Sequence, residues 1–331
     1  MKAKTVLVAI AAMMMVAVMM LPAVAVPPAT TQAEVTGAGS PPVFEEKFEL
    51  NDDGDPTHVT DGTQVLPVPD GDKEVCVYVV ARDPNGAADI NRIWITVNNP
   101  NGVEVANGDT LNAGEITELT HAEACTATQA AVTQNLMISA RKTVIDDHVA
   151  ASEWRMWKFC FNMGNCYMSG DYNVTAYAND GSGGTGTIVN TFEYISIKEL
   201  AIDFDTINYG TIVPGVKQII SGDTNFGTAD APTVRNRAND PFKLQISAAD
   251  MQGTNANNRI LATNLDAHVY GKDAPSGSAI DEELNLDYTP GILFSPIIDT
   301  CKTEKIDFSL LQGTICQDTY TGTITLEAVT P

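Results

Sequence analysis

Residues 155–163 alternate large apolar side chains with smaller or polar ones at a period of two. The apolar members share one face of an extended chain: Trp157, Phe159, Phe161 and Met163. Cys160 falls on the opposite face. A half-buried β-strand requires this period, because successive side chains of a strand point to opposite sides of the sheet. Residues 172–178 repeat the pattern, which indicates a chain that folds into sheets.

Short strand-like runs recur along the chain and are separated by clusters of Gly, Pro, Asn and Asp. The first half includes residues 75–81, which end at Asp83-Pro84-Asn85-Gly86, and residues 93–97. Further runs follow in the second half: residues 200–204, 207–213, 216–220, 233–236, 242–247, 267–270 and 321–328. This pattern is typical of antiparallel all-β folds. We therefore predict an all-β chain of two tandem antiparallel β-sandwiches, spanning residues 43–197 and 198–331.

Residues 120–153 interrupt the strand pattern, because they are rich in Ala and carry a weak strand signal. Ala favours helices and is depleted in strands. We predict a helical or irregular insertion between two strands, which makes the first sandwich partly helical.

The first 25 residues have the pattern of a secretory signal peptide. Lys2 and Lys4 precede an apolar stretch at 6–21, and Ala23-Val24-Ala25 offers a cleavage site. An uncleaved membrane anchor is the competing interpretation, although the stretch is short for a bilayer span. Residues 26–42 are rich in Pro, Ala, Thr and Gly, which predicts a flexible leader. The alternative for this leader is an extended donor strand for a neighbouring subunit.

The chain is strongly acidic, with a net charge of −23. Loss of Lys2 and Lys4 with the signal peptide makes the charge two units more negative. Such a charge repels nucleic acid and anionic lipid, which excludes a nucleic-acid-binding role. Since no other apolar run is long enough to cross a bilayer, we expect no transmembrane anchor after signal cleavage. We expect an extracellular or cell-surface location.

Several turn motifs of the first half occur in an order known from surface domains. Residues 80–86 read Val-Ala-Arg-Asp-Pro-Asn-Gly, the strand-like run 93–97 follows, and Pro100-Asn101-Gly102 forms the next turn. Residues 169–176 supply a Gly-x-Tyr-x-Val strand ahead of an Asn-Asp-Gly turn. Over residues 43–197 the order resembles immunoglobulin-like domains of archaeal and bacterial surface proteins. The resemblance implies an immunoglobulin-like sandwich, from which the Ala-rich insertion departs.

The second half carries a weaker resemblance. Residues 207–215 read Ile-Asn-Tyr-Gly-Thr-Ile-Val-Pro-Gly, and residues 320–326 read Tyr-Thr-Gly-Thr-Ile-Thr-Leu. This is similar to β-sandwich domains of prokaryotic wall-associated, fimbrial and biofilm-matrix proteins, over about 198–331. The similarity implies a location at the cell surface more than it implies an activity.

The six cysteines all lie after the signal peptide, and no two form a Cys-x-x-Cys pair. In an exported chain such cysteines are expected to form disulfides rather than a metal-thiolate site. Cys301 and Cys316 both lie in the second unit, and we predict that they pair with each other.

The four cysteines of the first unit allow alternative pairings: Cys76, Cys125, Cys160 and Cys166. Cys76 and Cys160 both have the parity of an outward face. In an immunoglobulin-like sandwich, as the resemblance implies, their strands can be neighbours. One interpretation is therefore a Cys76–Cys160 bridge on the outer face, with Cys125 paired to Cys166. The other is Cys160–Cys166 with Cys76–Cys125.

Two clusters of oxygen-bearing side chains are candidate calcium ligands. The first is formed by Asp52, Asp53 and Asp55. The second lies in a loop between predicted strands and is formed by Asp83, Asn85 and Asp89. Hard cations take several oxygen ligands from loops of this kind. The alternative is that these residues only form turns, which also favour Asx and Gly.

Two surface features point to carbohydrate. Trp94 has the parity opposite to Ile93 and Ile95, so it is a candidate ligand-binding residue on the outer face. Trp154 and Trp157 can extend such a sugar-binding surface, although core packing is the favoured role of Trp157 and the open alternative for Trp94. Asn173-Val174-Thr175 is an N-glycosylation sequon, and Asn173 points away from the predicted core face.

Recognisable catalytic motifs are missing from the sequence. His121 and Cys125 are four residues apart, but a disulfide at Cys125 would prevent a metal site there. Residues 181–186 match the dinucleotide pattern G-x-G-x-x-G, yet they lie between two strands instead of leading into a helix. There is no G-x-S-x-G nucleophile motif. We assign no catalytic residue, expect no cofactor other than calcium, and predict that the protein is not an enzyme.

The leading hypothesis is an exported structural or adhesive protein of the cell surface, such as a filament, matrix or surface-layer-associated subunit. Its expected partners are other surface proteins or copies of itself. The second hypothesis is an extracellular glycan-binding module, and the third is a secreted hydrolase whose site is scattered through the fold.

Overall fold

The computed structural model describes residues 39–50, 63–228, 230–274 and 291–331. The first group of strands comprises β1 (Val43–Leu50), β2 (Gln64–Val65), β3 (Asp72–Arg82), β4 (Ile90–Asn98), β5 (Glu104–Asp109), β6 (Ile116–Glu118), β7 (Arg155–Gly164), β8 (Gly170–Asp180) and β9 (Thr185–Tyr194). The second group comprises β10 (Leu200–Ile202), β11 (Gln218–Ile220), β12 (Thr233–Asn236), β13 (Phe242–Ala248), β14 (Met251–Gly253), β15 (Arg259–Ile260), β16 (Leu265–Val269), β17 (Ile292–Ile298), β18 (Thr303–Leu310), β19 (Tyr320–Thr321) and β20 (Ile324–Val329). The predicted signal peptide and Asp52, Asp53 and Asp55 lie outside the described residues.

The first group of strands forms two facing sheets. One sheet has the strand order β1-β3-β7-β6, and the other has the order β2-β9-β8-β4-β5. Neighbouring strands are antiparallel except β2 and β9, which run parallel. This is the strand order of an immunoglobulin-like sandwich with two additional edge strands, β2 and β5, one at each edge of the second sheet. The all-β prediction and its immunoglobulin-like first sandwich are therefore confirmed.

The first core is built from the inward positions of both sheets, as the period-two alternation requires. From β3 it takes Val75, Val77 and Val79, which are fully buried. From β7 it takes Trp157, Phe159 and Met163, with Phe161 only partly buried. Across the interface, β8 and β9 contribute Tyr172, Val174, Ala176, Ala178, Phe192 and Tyr194, all at 0% exposure. The parity inferred for these strands is confirmed.

Two helices, α1 (His121–Thr133) and α2 (Ser139–Ala150), form the predicted insertion between β6 and β7. The first begins with a capping box, in which Thr120 and Glu123 satisfy each other's backbone N–H groups. Small residues let α1 pack closely on the sheet: Ala124, Ala127 and Ala131 are all buried. No helix among the described residues is long and apolar enough to cross a membrane.

The second group of strands forms a second sandwich around its own core. One sheet has the order β10-β12-β18-β11, with β16 also paired to β18, and the other has the order β17-β13-β20. A small sheet of order β15-β14-β19 accompanies them. The facing side chains come from β13 and β18 and are fully buried: Phe242, Leu244, Ile246, Ile306, Phe308 and Leu310.

The predicted strand at 207–213 is not formed. The segment runs irregularly between β10 and β11, and its apolar side chains pack against the second core without a strand partner. Tyr209 is 9% exposed, and Ile207 and Ile212 are partly buried beside it. The alternation of apolar residues here reflects a loop that covers the core, because burial alone does not supply the backbone partner that a strand needs.

Candidate functional site

The two sandwiches are joined covalently by a disulfide between Cys166 and Cys301. Cys166 lies in the loop between β7 and β8, and Cys301 lies in the turn between β17 and β18. The predictions that Cys301 pairs with Cys316 and that Cys125 pairs with Cys166 are therefore wrong. Both rested on pairing within one sandwich, whereas tertiary packing brings loops of different sandwiches together.

Ion pairs and hydrogen bonds surround this disulfide. Asp70, in the turn before β3, forms ion pairs with Arg235, at 3.1 Å, and with Arg237. The side-chain amide of Asn165 donates to the carbonyl oxygen of Arg237 at 2.8 Å. These contacts all link the first sandwich to β12 and to the segment between β12 and β13. We call this region the junction: the Cys166–Cys301 disulfide with the polar contacts of Asp70, Asn165 and Asp240.

Asp240 is the most highly bonded carboxylate of the junction. Its Oδ1 accepts from Ser169 Oγ at 3.0 Å, and its Oδ2 accepts from Ser196 Oγ at 2.6 Å. Lys198 Nζ lies 3.3 Å from the same Oδ2. Burial alone would raise the pKa of Asp240. The hydrogen bonds and the charge of Lys198 outweigh burial and hold this pKa below its ordinary value. The junction therefore favours ionised Asp240.

The second disulfide joins Cys76 and Cys160, which are directly opposed residues of β3 and β7. This pairing is one of the two that the sequence left open. Its expected place on an outer surface is wrong, because Cys76 is only 4% exposed and packs with Tyr78 and Val80 beneath the helical insertion. Adjacent antiparallel strands bring opposed side chains close enough to bridge.

Cys125 and Cys316 are free thiols, so the expectation that every cysteine forms a disulfide is wrong. Cys125 lies on α1 with its Sγ 3.2 Å from His121 Nε2. Burial, followed by the charge of Asp146, raises the pKa of the Cys125 thiol. A raised thiol pKa disfavours the reactive thiolate.

The predicted calcium loop is brought into contact with a residue that the sequence reasoning missed. Asp83 and Asp89 lie next to Asp180, and one carboxylate oxygen of each falls within 4.8 Å of the others. Asn85 is exposed, and its backbone N–H donates to Asp83 Oδ1 at 2.7 Å. Burial, then the charges of Asp89 and Asp180, raise the pKa of Asp83. Asp180 is brought to Asp83 and Asp89 because Ile90 of β4 pairs with Asp180 of β8.

Trp94 lies on the outer face of its sheet, as its parity predicted. Its ring stacks on that of Tyr177, with centroids 4.9 Å apart and planes within 8° of parallel. The Arg92 guanidinium lies 4.7 Å from the Trp94 ring centroid and also pairs with Asp109. Trp154 and Trp157 are 7% and 3% exposed, so they do not extend this surface. Asn173 is exposed on the same sheet.

Comparisons with known proteins give only distant matches. No protein-family model and no curated protein matches the chain. Among solved structures, a chaperone–tip adhesion subunit complex of Csu pili from Acinetobacter baumannii shares 10% identity over 80% of this chain and 96% of its own, with a TM-score of 0.30. The C-terminal domain of the antigen I/II-family protein AspA of Streptococcus pyogenes shares 10% identity over 88% of this chain and 97% of its own, with a TM-score of 0.23. A chaperone–tip adhesin complex of CFA/I fimbriae shares 13% identity over 54% of this chain and 59% of its own, with a TM-score of 0.28. Because these TM-scores are low, the matches carry no weight in assigning topology or function.

Removal of the junction disulfide is expected to let the two sandwiches unfold separately. The three Trp residues are all in the first sandwich: Trp94, Trp154 and Trp157. In the double variant Cys166→Ser/Cys301→Ser, we expect a loss of about 2–4 kcal/mol in the free energy of unfolding. Urea transitions followed by Trp fluorescence and by far-UV circular dichroism should coincide in the native chain and separate in the variant.

The matched control for this experiment is Cys125→Ser/Cys316→Ser, which removes two thiols and leaves both disulfides in place. Its two transitions should stay coincident. Coincident transitions in the disulfide variant as well would mean that the polar contacts alone unite the sandwiches.

The junction should also weaken in acid. A carboxyl group whose pKa is lowered on folding stabilises the native state above its unfolded pKa, about 3.9 for Asp, and this contribution disappears as the pH falls through the folded value. We expect Asp240→Asn to lower the free energy of unfolding by about 1 kcal/mol at pH 7. Urea titrations of both proteins from pH 7 to about pH 3 should show this difference shrinking below about pH 4. A constant difference across that range would contradict the assignment.

Proposed function

We propose that this chain is an exported, non-catalytic structural or adhesive protein of the cell surface. The observation that carries the proposal is the junction, where a disulfide and the ion pairs of Asp70 connect the two sandwiches. Intramolecular interfaces between domains ordinarily allow relative motion. A disulfide and ion pairs between the sandwiches limit this motion. A protein that holds its binding partners in a fixed relative orientation requires such a rigid connection.

The oxidation state of the cysteines supports a location outside the cytoplasm. The disulfides Cys76–Cys160 and Cys166–Cys301 both constrain the folded chain. Disulfides of this kind persist in oxidising compartments and are rare in cytosolic proteins. The predicted signal peptide and the strongly acidic composition are consistent with this location.

The hydrogen bonds of Asp318 and Asp240 support a structural role for these two carboxylates over a catalytic one. Asp318 accepts hydrogen bonds from Thr254, Asn255 and Asn258, and these bonds lower its pKa. Asp240 is committed to the junction in the same way. Carboxylates with lowered pKa values that hold turns together are poor general acids at neutral pH.

Contact with other proteins can use an exposed sheet edge. Among the described residues, β20 is hydrogen-bonded to β13 on one side only within its sheet. An edge strand presents unpaired N–H and C=O groups that can accept a further strand. A second copy of the chain, through the predicted leader, or another surface protein could supply that strand.

The proposal is tested by thiol counting together with surface labelling. Alkylation of the denatured, unreduced protein purified from its native cells should modify two cysteines, Cys125 and Cys316, and alkylation after reduction should modify all six. Labelled antibody on intact cells should detect the protein by electron microscopy. Detection only after cell lysis, together with six free thiols in the native sample, would overturn the proposal.

A second candidate function is glycan recognition, favoured by the Trp94–Tyr177 pair. Parallel aromatic rings on a sheet surface offer an apolar face that a sugar ring can stack on. Arg92 and Asp109 beside them supply a donor and an acceptor for hydroxyl groups. These four side chains combine the stacking face and the polar groups that a sugar site requires.

Glycan binding predicts that Trp94→Ala abolishes retention on immobilised cell-surface polysaccharide, with an affinity loss of about tenfold or more. Val189→Ala is the matched control, because Val189 is 53% exposed on the same face of the sheet and lies on β9, which β8 separates from the strand of Trp94. Equal retention of the native protein and Trp94→Ala would eliminate this candidate.

A further inference from the structure

Three carboxylates converge at one end of the first sandwich. Asp83 follows β3, Asp89 ends a short 3₁₀ turn before β4, and Asp180 is the last residue of β8. Because β4 and β8 are antiparallel and Ile90 pairs with Asp180, the start of one strand and the end of the other lie at the same edge. The carboxylate oxygens within 4.8 Å of one another therefore come from two separate loops.

Two of these carboxylates are buried, and each uses only one oxygen for a hydrogen bond. Asp83 is 5% exposed and Asp180 is 1% exposed. Oδ1 of Asp180 accepts from the backbone N–H groups of Ser182 and Gly184, at 2.9 and 2.7 Å. Within the part of the chain that the structure describes, Oδ2 of Asp83 and Oδ2 of Asp180 have no hydrogen-bond partner. A buried acceptor left without a partner is costly, which points to a missing ligand.

The described residues also leave the charge of this cluster uncompensated. Among the described residues, no Lys or Arg nitrogen lies within 4.0 Å of the carboxylates of Asp83, Asp89 or Asp180. Buried like charges repel each other and require a counter-charge or protonation. The turn hydrogen bonds hold Asp180 in a fixed orientation, so the site is organised before any ion arrives.

We propose that Asp83, Asp89 and Asp180 together bind a divalent cation of the calcium class. The three residues that define the site offer only oxygen ligands, whereas zinc favours His and Cys. Calcium takes six to eight oxygens in flexible geometry from loops and water, while magnesium demands a near-ideal octahedron. Carboxylates from two loops match calcium best.

The ion would also act on the start of β1. A Cβ atom added to Gly184 would lie 2.6 Å from Asp180 Oδ2 and 2.8 Å from the Cα of Pro41. A Cβ atom on Gly186 would lie 2.0 Å from the carbonyl oxygen of Pro42. The turn that carries Asp180 is therefore packed directly against the segment leading into β1. An ion that rigidifies this turn also fixes the point at which the predicted leader joins the sandwich.

The test compares thermal unfolding in EDTA and in CaCl₂ for the native chain and Asp89→Asn. Asp89 is the choice because, among the described residues, its carboxylate accepts no hydrogen bond, so its replacement leaves both turns intact. At a calcium concentration about 100 times the Kd, binding multiplies the folding equilibrium constant about 100-fold, which corresponds to a rise in Tm of roughly 5 °C. Asp89→Asn should lose this rise and, in EDTA, should be at least as stable as the native chain, because a repulsive charge is removed.

Asp171→Asn is the matched control, since Asp171 is exposed on the same strand as Asp180 and its replacement removes one charge elsewhere. It should retain the full calcium response. Calorimetric titration with CaCl₂ and with MgCl₂ gives direct binding, and Asp83→Asn is a second variant that should abolish the calcium signal. An equal calcium response in Asp89→Asn and the native chain would overturn the proposal. So would no response of the native chain up to about 10 mM calcium, tenfold above the weakest extracellular calcium sites.

Discussion

The burial of β3 on both of its faces is the constraint on which the rest of the first sandwich depends. Val75, Val77 and Val79 face the opposite sheet, while Cys76, Tyr78 and Val80 face the helices. A strand of an antiparallel sheet commonly has one solvated face, and a continuous apolar run requires cover on both. The two helices supply that cover. The insertion between β6 and β7 is therefore part of the hydrophobic core. The Cys76–Cys160 disulfide then lies in a second apolar layer.

The carboxylates at the two ends of the first sandwich have different kinds of partner. At the junction, each carboxylate meets hydroxyl groups, a lysine or arginines, so its negative charge is satisfied within the protein. At the opposite ends of β3 and β8, Asp83 and Asp180 keep oxygens that the described residues leave unbonded. The physical chemistry of a carboxylate is the same in both places. The difference is that the carboxylates at one end have protein partners, whereas the other end has the unbonded oxygens on which the proposed cation site rests.

The sequence predicted most where side-chain parity decides the structure. The inward faces of β3, β7 and β8, the outward position of Trp94 and the helical insertion all follow from local period and composition. Strand β18 was missed although Ile306, Phe308 and Leu310 alternate there, because the buried Asp307 between them lowers the strand signal. The carboxylate of Asp307 accepts hydrogen bonds from the backbone N–H of Gly222 and the hydroxyl of Tyr270, which are both remote in sequence. The Cys166–Cys301 disulfide and the contribution of Asp180 to the acidic cluster likewise depend on tertiary packing, which local pattern does not encode.

The two disulfides also determine which parts of the chain can lengthen when it is pulled. A covalent path runs from Cys76 across to Cys160, along six residues to Cys166, and across again to Cys301. Tension applied on either side of this path bypasses the segments 77–159 and 167–300, which together hold about two thirds of the chain. Those segments can lose their packing but cannot be drawn out, since a trans chain gains length only between unbridged points. The stretch between Cys76 and Cys301 therefore acts under load as a link whose length the two disulfides limit.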